Sequence, residues 1–163
     1  MRRVFFSFHY ARDCWSVSQV RNSWLANPFH AAQPFYDRAA WEQVKRKGDV
    51  AIKSWIDSQI RGTSVTAVLI GPQTLNRKWV QYEVDESLRL GKGLLGITLE
   101  NMKQSNGIID SWNRYSTYGP LSGRDTSYPI YSWTSSSGRK NLPAWVESAA
   151  RVAGRSTSTK NWI

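Results

Sequence analysis

Cysteine and histidine are both scarce in this chain, and their scarcity removes several kinds of chemistry. Cys14 is the single cysteine among 163 residues, so no disulfide can form within the chain. His9 and His30 are the only histidines, which is a poor basis for a zinc site or for a Ser-His-Asp triad. We therefore predict no metal site and no histidine-dependent hydrolase.

Long apolar segments and two common active-site signatures are missing as well. No run approaches the roughly 20 residues that cross a bilayer, and the N-terminus lacks the extended apolar core of a signal peptide. Neither a Walker A sequence nor a G-x-S-x-G elbow is present. These absences predict a cytoplasmic protein that acts away from membranes and uses neither motif.

Acidic side chains are few compared with basic ones. The chain has 12 Asp and Glu against 22 Lys and Arg, which gives a net charge of +10. Such a charge attracts phosphate-bearing partners over long range, and these include both dinucleotides and nucleic acids. The basic residues are scattered rather than grouped in one block, which argues against a nucleic-acid partner.

The order of predicted elements favours a single α/β domain. The length and a mean hydropathy of −0.50 suit a globular chain with one core. Short runs of β-branched and aromatic residues predict strands at residues 4–8, 32–36, 63–70, 94–99 and 128–133. Helical spacing of apolar residues predicts helices at residues 14–25, 49–61, 77–90 and 142–153. Asp13 and Asn141 are the expected N-caps of the first and last helices, and residues 37–48 read as a loop with a possible short helix.

Strands that alternate with helices join by right-handed crossovers into a parallel sheet that is covered on both faces. We therefore predict a flavodoxin-like three-layer α/β/α sandwich with a central, mostly parallel five-stranded sheet. The domain is expected to span residues 1–154, with a long surface insertion at about 100–127. Residues 155–163 are expected to form a tail.

The segment from Arg77 to Glu83 follows the apolar strand and opens a helix. Trp79 and Glu83 are four residues apart, so they share one face of that helix, whereas we expect Glu86 to point into solvent. Ligands bind at the carboxyl ends of strands in such sheets. There an aromatic ring can stack on a flat base, and a carboxylate can hold sugar hydroxyls or stabilise a cationic transition state. A core Trp beside a solvated Glu is the structural alternative.

Loops after the first two strands reach the same edge of a flavodoxin-like sheet. Ser7 and the backbone after it can donate to phosphate or ribose, and Arg12 can neutralise a phosphate. A helix cap at Asp13 and a surface role for Arg12 explain these two residues equally well. Asp37 follows the second strand, and Asn76 lies just before the helix that follows the third.

Three segments together resemble TIR domains, and more specifically the TIR-like ThsB subunits of Thoeris anti-phage systems. The segments are residues 4–13 (VFFSFHYARD), 62–71 (GTSVTAVLIG) and 77–83 (RKWVQYE). Shorter stretches at 55–57, 93–97 and 141–145 add to the likeness. The resemblance runs from about Arg3 to Gly154 and so covers nearly the whole chain.

The resemblance implies a microbial immune enzyme that consumes NAD after phage infection. It implies a cyclic ADP-ribose isomer as the product, which reaches a partner effector as a diffusible signal, and no cofactor beyond NAD as the substrate. Glu83 matches the catalytic carboxylate of NAD-cleaving TIR domains. The predicted substrate-binding residues surround it at the same sheet edge: Phe6, Ser7, Phe8, His9, Arg12, Asp37, Asn76 and Trp79.

Two further questions stay open at this point. Water that attacks the ribose would give ADP-ribose, whereas a hydroxyl or ring nitrogen of the same molecule would give a cyclic product. TIR domains also assemble with one another, so a non-catalytic interaction module, in which Glu83 is structural, is the alternative function.

Overall fold

The computed structural model describes residues 2–33, 38–112 and 128–159. Its strands are β1 (Arg2–Ser7), β2 (His30–Ala32), β3 (Val65–Ile70), β4 (Gly93–Thr98), β5 (Met102–Lys103), β6 (Ile109–Asp110) and β7 (Ile130–Ser132). Its helices are α1 (Tyr10–Leu25), α2 (Arg38–Arg46), α3 (Asp49–Arg61), α4 (Lys78–Arg89) and α5 (Gly138–Thr159). A 3₁₀ turn covers Thr74–Asn76 between β3 and α4.

Five of the strands form one parallel sheet in the order β2-β1-β3-β4-β7. The first strand therefore lies beside the third, as a flavodoxin-like order requires. The central strands β3 and β4 are buried along their whole length, which explains why their sequences are continuous apolar runs. The predicted fold class, a five-stranded parallel sheet with helices around it, is confirmed.

Helices cover both faces of the sheet, and neighbouring residues of β1 show which helix covers which face. Phe6 belongs to a buried cluster with Trp24 of α1 and with side chains of α5. Phe5 points to the opposite face, since strand residues alternate, and packs with Ile56 of α3. Within the described ranges, no helix combines the length and apolarity needed to cross a bilayer.

The first helix begins earlier than the sequence pattern predicts. α1 begins at Tyr10 rather than at residue 14, so the prediction of Asp13 as its N-cap is wrong. The Asp13 carboxylate is buried and accepts hydrogen bonds from Arg12 and Thr74. These contacts, one of them with a residue far along the chain, hold the first turn in place and leave no local signal in the sequence.

The second strand ends earlier than predicted. β2 covers His30–Ala32 rather than residues 32–36, and residues 34–36 lie outside the described part of the chain. Beyond Ala32, the side chain of Gln33 takes over the pairing with β1, because its amide bonds to both the N–H and the carbonyl of Phe6.

Three predicted segments between and after the strands also need correction. α2 is a helix of nine residues where mainly loop was expected. α5 begins at Gly138 rather than at residue 142 and runs to Thr159, so Asn141 is not its cap and the predicted tail is partly helical. It begins directly after a tight turn in which the Gly138 N–H bonds to the carbonyl of Trp133. The predicted insertion contains the hairpin β5–β6, and its residues 113–127 lie outside the described ranges.

Candidate active site

Ser7 and Glu83 meet at the carboxyl end of the sheet. Ser7 is the fully buried last residue of β1, and Glu83 lies in the second turn of α4 with 8% of its surface exposed. The Ser7 hydroxyl donates a hydrogen bond to Glu83 Oε2. Because β1 pairs with β3, and β3 leads into α4, the strand order brings these two distant residues together.

Burial changes the acidity of the Glu83 carboxyl. Desolvation disfavours the charged form and raises the pKa of Glu83 to about 8, while the Ser7 hydroxyl acts in the opposite direction. A carboxyl that titrates near neutral pH can both accept and donate a proton under cellular conditions. Glu83 is therefore suited to acid–base chemistry as well as to charge stabilisation.

Glu83 lines a crevice of about 610 Å³, a size typical of small-molecule sites. Aromatic lining comes from Phe6, Phe8, Tyr10, Trp41 and Trp79. Charged lining besides Glu83 comes from Glu42, Lys45, Arg77 and Lys78. Flat apolar rings beside a few cations suit a ligand that carries both flat bases and phosphates.

The two lysines of this crevice lie close to aromatic rings. Lys78 Nζ lies 4.7 Å from the ring centre of Trp79 and 2.6 Å from a carboxylate oxygen of Asp49. Lys45 Nζ lies 5.8 Å from the ring centre of Trp41. One face of Trp79 is thus covered by an ammonium group, so a base that stacks on Trp79 must use its other face or displace Lys78.

A buried polar network ties the loop after β3 to α1. The Gly71 N–H donates to Thr74 Oγ1 at 2.8 Å, and Thr74 Oγ1 donates to Asp13 Oδ2 at 3.3 Å. Gly71 has no side chain, and a Cβ there would lie 2.2 Å from Asp13 Oδ2. Burial raises the pKa of Asp13, and the Arg12 guanidinium, 2.8 Å away, opposes that rise. The network therefore fixes the loop after β3 against the first turn of α1, whose residues Tyr10 and Ala11 line the crevice.

Arg77 and His9 form a second contact across the crevice lining. Arg77 immediately precedes α4, and its guanidinium bonds to His9 Nε2. Burial and the positive charge of Arg77 lower the pKa of His9, which favours its neutral imidazole. His9 is 7% exposed and lines the crevice together with Arg77.

The structure brings most of the predicted site residues to this crevice. Phe6, Phe8, His9, Trp79 and Glu83 line it, and Ser7 reaches it through Glu83. Among the described residues, no group of three or more His, Cys, Asp or Glu side chains is arranged to hold a metal ion.

Other predicted positions lie elsewhere. Arg12 pairs with Asp13 and, at 3.0 Å, with Asp110 of β6, and it does not line the crevice. Asn76 is exposed in the 3₁₀ turn, also outside the lining. Asp37 lies outside the described residues.

Glu86, which was expected to point into solvent, is mostly covered. It is 8% exposed, and its carboxylate pairs with the guanidinium of Arg89. This pairing lowers the pKa of Glu86. Glu86 does not line the crevice, so the two carboxylates of α4 have different environments.

Sequence reasoning missed the basic side of the crevice. Lys45 fell within residues 37–48, which were expected to be mainly loop, and Arg77 was given no role of its own. The spacing of Trp41 and Lys45, four residues apart, was the available signal. It became informative only once α2 was known to be a helix.

Comparison with known proteins gives two matches. Residues 5–104 match the family model described as Thoeris protein ThsB, TIR-like domain. A protein of Bacillus cereus (strain MSX-D12), named "Putative cyclic ADP-D-ribose synthase ThsB1", is 38% identical over 137 residues, which cover 82% of this chain and 71% of that protein.

Proposed function

We propose that this chain, which belongs to the TIR-like domain family of Thoeris ThsB proteins, cleaves NAD at the nicotinamide–ribose bond and makes a cyclic ADP-ribose isomer. The buried Glu83 carboxyl, bonded to the Ser7 hydroxyl and open to the crevice, is the observation that carries the proposal. NAD is the substrate, and the reaction requires no separate cofactor.

Glu83 acts on the bond between the nicotinamide ring nitrogen and C1′ of the ribose. When this bond breaks, its electron pair leaves with nicotinamide, which departs as a neutral molecule, and positive charge develops on the ribose. A carboxylate beside the ribose stabilises that charge. The cationic nicotinamide ring of the incoming NAD favours the ionised form of Glu83, and so counteracts the burial that raises the pKa of this group.

Capture of the ribose completes the reaction. A ring nitrogen or a hydroxyl of the same ADP-ribose attacks C1′ and closes the cyclic product, whereas water would give ADP-ribose. Where the nucleophile is a hydroxyl or water, the Glu83 carboxylate accepts its proton. Phe6 and Phe8 line the crevice with apolar rings, and rings that exclude water favour cyclisation over hydrolysis.

The product serves as a diffusible second messenger. In this proposal the protein acts in the cytoplasm of an infected cell, responds to a phage-derived trigger and signals to a partner effector. The relative from Bacillus cereus, named for cyclic ADP-D-ribose synthesis, supports this reading. The net charge of +10 favours the approach of an anionic dinucleotide.

The test is mass spectrometry of nicotinamide and ADP-ribose species after incubation of the protein with NAD and lysate from phage-infected cells. Glu83→Gln should lower nicotinamide release by at least about 100-fold, because the neutral amide neither stabilises the cation nor accepts a proton. Glu86→Gln is the matched control, since it makes the same change one turn away on α4 but outside the crevice. It should keep the wild-type rate.

Wild-type turnover in Glu83→Gln would refute the assignment of the catalytic carboxylate. Unchanged NAD with every lysate, combined with NAD-independent assembly in light scattering, would favour the alternative of an interaction module.

A further inference from the structure

We propose that Arg77 holds His9 in the tautomer that donates from Nδ1, and that this donor binds an oxygen acceptor of the dinucleotide in the crevice. The inference deepens the proposed function and rests on it for the identity of the ligand. It begins from one contact, in which the Arg77 guanidinium bonds to His9 Nε2.

The chemistry of arginine fixes the direction of this bond. A guanidinium carries N–H donors and no acceptor, and it stays protonated in proteins. His9 Nε2 must therefore accept, so it carries no proton. An imidazole whose Nε2 carries no proton is neutral and holds its one ring proton on Nδ1. A free side chain could exchange between the two tautomers, but the contact with Arg77 selects one of them.

The Nδ1–H donor is buried within the protein, on a residue that lines the crevice. Nδ1 has no hydrogen-bond partner within the described parts of the chain, and His9 is 7% exposed. A buried donor without a partner destabilises the free protein, and a ligand acceptor would remove that cost. His9 lines the same crevice as Glu83, so a dinucleotide that fills the crevice meets both residues, and a small turn of the imidazole brings Nδ1 to the ligand.

The Nδ1–H donor requires an acceptor with a free lone pair. The strongest acceptors on NAD are the carboxamide oxygen of nicotinamide and the charged oxygens of its pyrophosphate. Arg77 and Lys78, which also line the crevice, favour the anionic group. Nicotinamide and ADP-ribose each carry only one of the two groups, so they distinguish these sources as separate probes.

Two substitutions at His9 separate the roles of its two nitrogens. The amide of Asn overlays Nδ1 of an imidazole, and the longer amide of Gln overlays Nε2. His9→Asn therefore keeps a donor at the Nδ1 position, whereas His9→Gln keeps the acceptor for Arg77 and loses that donor. We expect His9→Gln to weaken ADP-ribose binding roughly tenfold, and His9→Asn to weaken it less.

Nitrogen-15 NMR of the histidine rings tests the tautomer directly. Only two histidines occur in the chain, and His30, which stacks on Trp24 away from the crevice lining, is removed by His30→Gln to assign the signals. His9 should show a protonated Nδ1 in the free protein. Arg77→Met should shift the population toward protonated Nε2.

Ligand titrations complete the test, because ADP-ribose and nicotinamide both lack the nicotinamide–ribose bond and are not consumed. A change at the His9 Nδ1–H signal with ADP-ribose supports a phosphate acceptor, and a change with nicotinamide alone supports the carboxamide. A protonated Nε2 in the free protein, or an Nδ1–H signal that neither probe moves, overturns the inference. Neither of these two outcomes would affect the proposed role of Glu83, which the turnover assay tests separately.

Discussion

The burial of Glu83 makes a prediction about stability that needs no catalytic assay. Its pKa in the folded protein is raised to about 8, against 4.5 for a solvated glutamate. The folded state therefore holds the proton more tightly than the unfolded state does. It follows that the contribution of Glu83 to stability is fully present below about pH 4.5 and is lost as the pH rises through about 8. Glu83→Gln removes this titration, because the amide stays neutral throughout.

The size of the effect follows from the shift itself. Each pKa unit corresponds to about 1.36 kcal/mol, so the wild-type protein should lose roughly 3 kcal/mol relative to Glu83→Gln between pH 5 and pH 8. For a domain of this size, that loss lowers the relative Tm by roughly 6–12 °C.

Urea unfolding at a series of pH values measures this difference. Glu86→Gln is again the control, since Arg89 lowers the pKa of Glu86 and keeps it ionised across the whole range. The difference between the free energies of unfolding of Glu86→Gln and of the wild type should stay constant above pH 5. The free energies of unfolding of the wild type and of Glu83→Gln could instead change with pH in the same way from pH 5 to pH 9. In that case the Glu83 carboxyl ionises normally, and the argument from burial is refuted.

Two further predictions concern packing near the site, and urea unfolding checks both. Gln33→Met should lower the free energy of unfolding by roughly 3 kcal/mol, since it leaves both backbone groups of Phe6 without their amide partners. A change near zero would show that this pairing is dispensable. Gly71→Ala should cost about 1–3 kcal/mol, because the added Cβ would collide with Asp13. Gly62→Ala, which meets open space, is its control, and equal stability of the two variants would contradict the clash.

The fold could be predicted because its signals are local. Each central strand is a continuous apolar run, and α3 has an apolar stripe followed by Gly62. Alternation of such elements restricts the topology to a parallel sheet with right-handed connections. The shared helical face of Trp79 and Glu83 is equally local, since it requires only a spacing of four residues.

The rest of the site depends on contacts between residues that are far apart in the sequence. The bond between His9 and Arg77 joins positions 68 residues apart, and no periodicity reports it. The early start of α1 has a similar cause, because Asp13 bonds to Thr74 across 61 residues. Strand order indicates which loops are neighbours, whereas the partner of each side chain emerges only when those loops are packed.

The nature of residue 83 connects the stability argument with the chemical one. A glutamine at this position could accept the hydrogen bond from Ser7 and would avoid the ionisation cost that burial imposes on a carboxyl. Folding alone therefore does not explain why an ionisable group is buried here. A reaction that develops positive charge in the crevice does explain it, because only the carboxylate stabilises that charge. Glu83→Gln should remove both the pH dependence of stability and the turnover of NAD, and Glu86→Gln should remove neither. If so, the same buried carboxyl accounts for both.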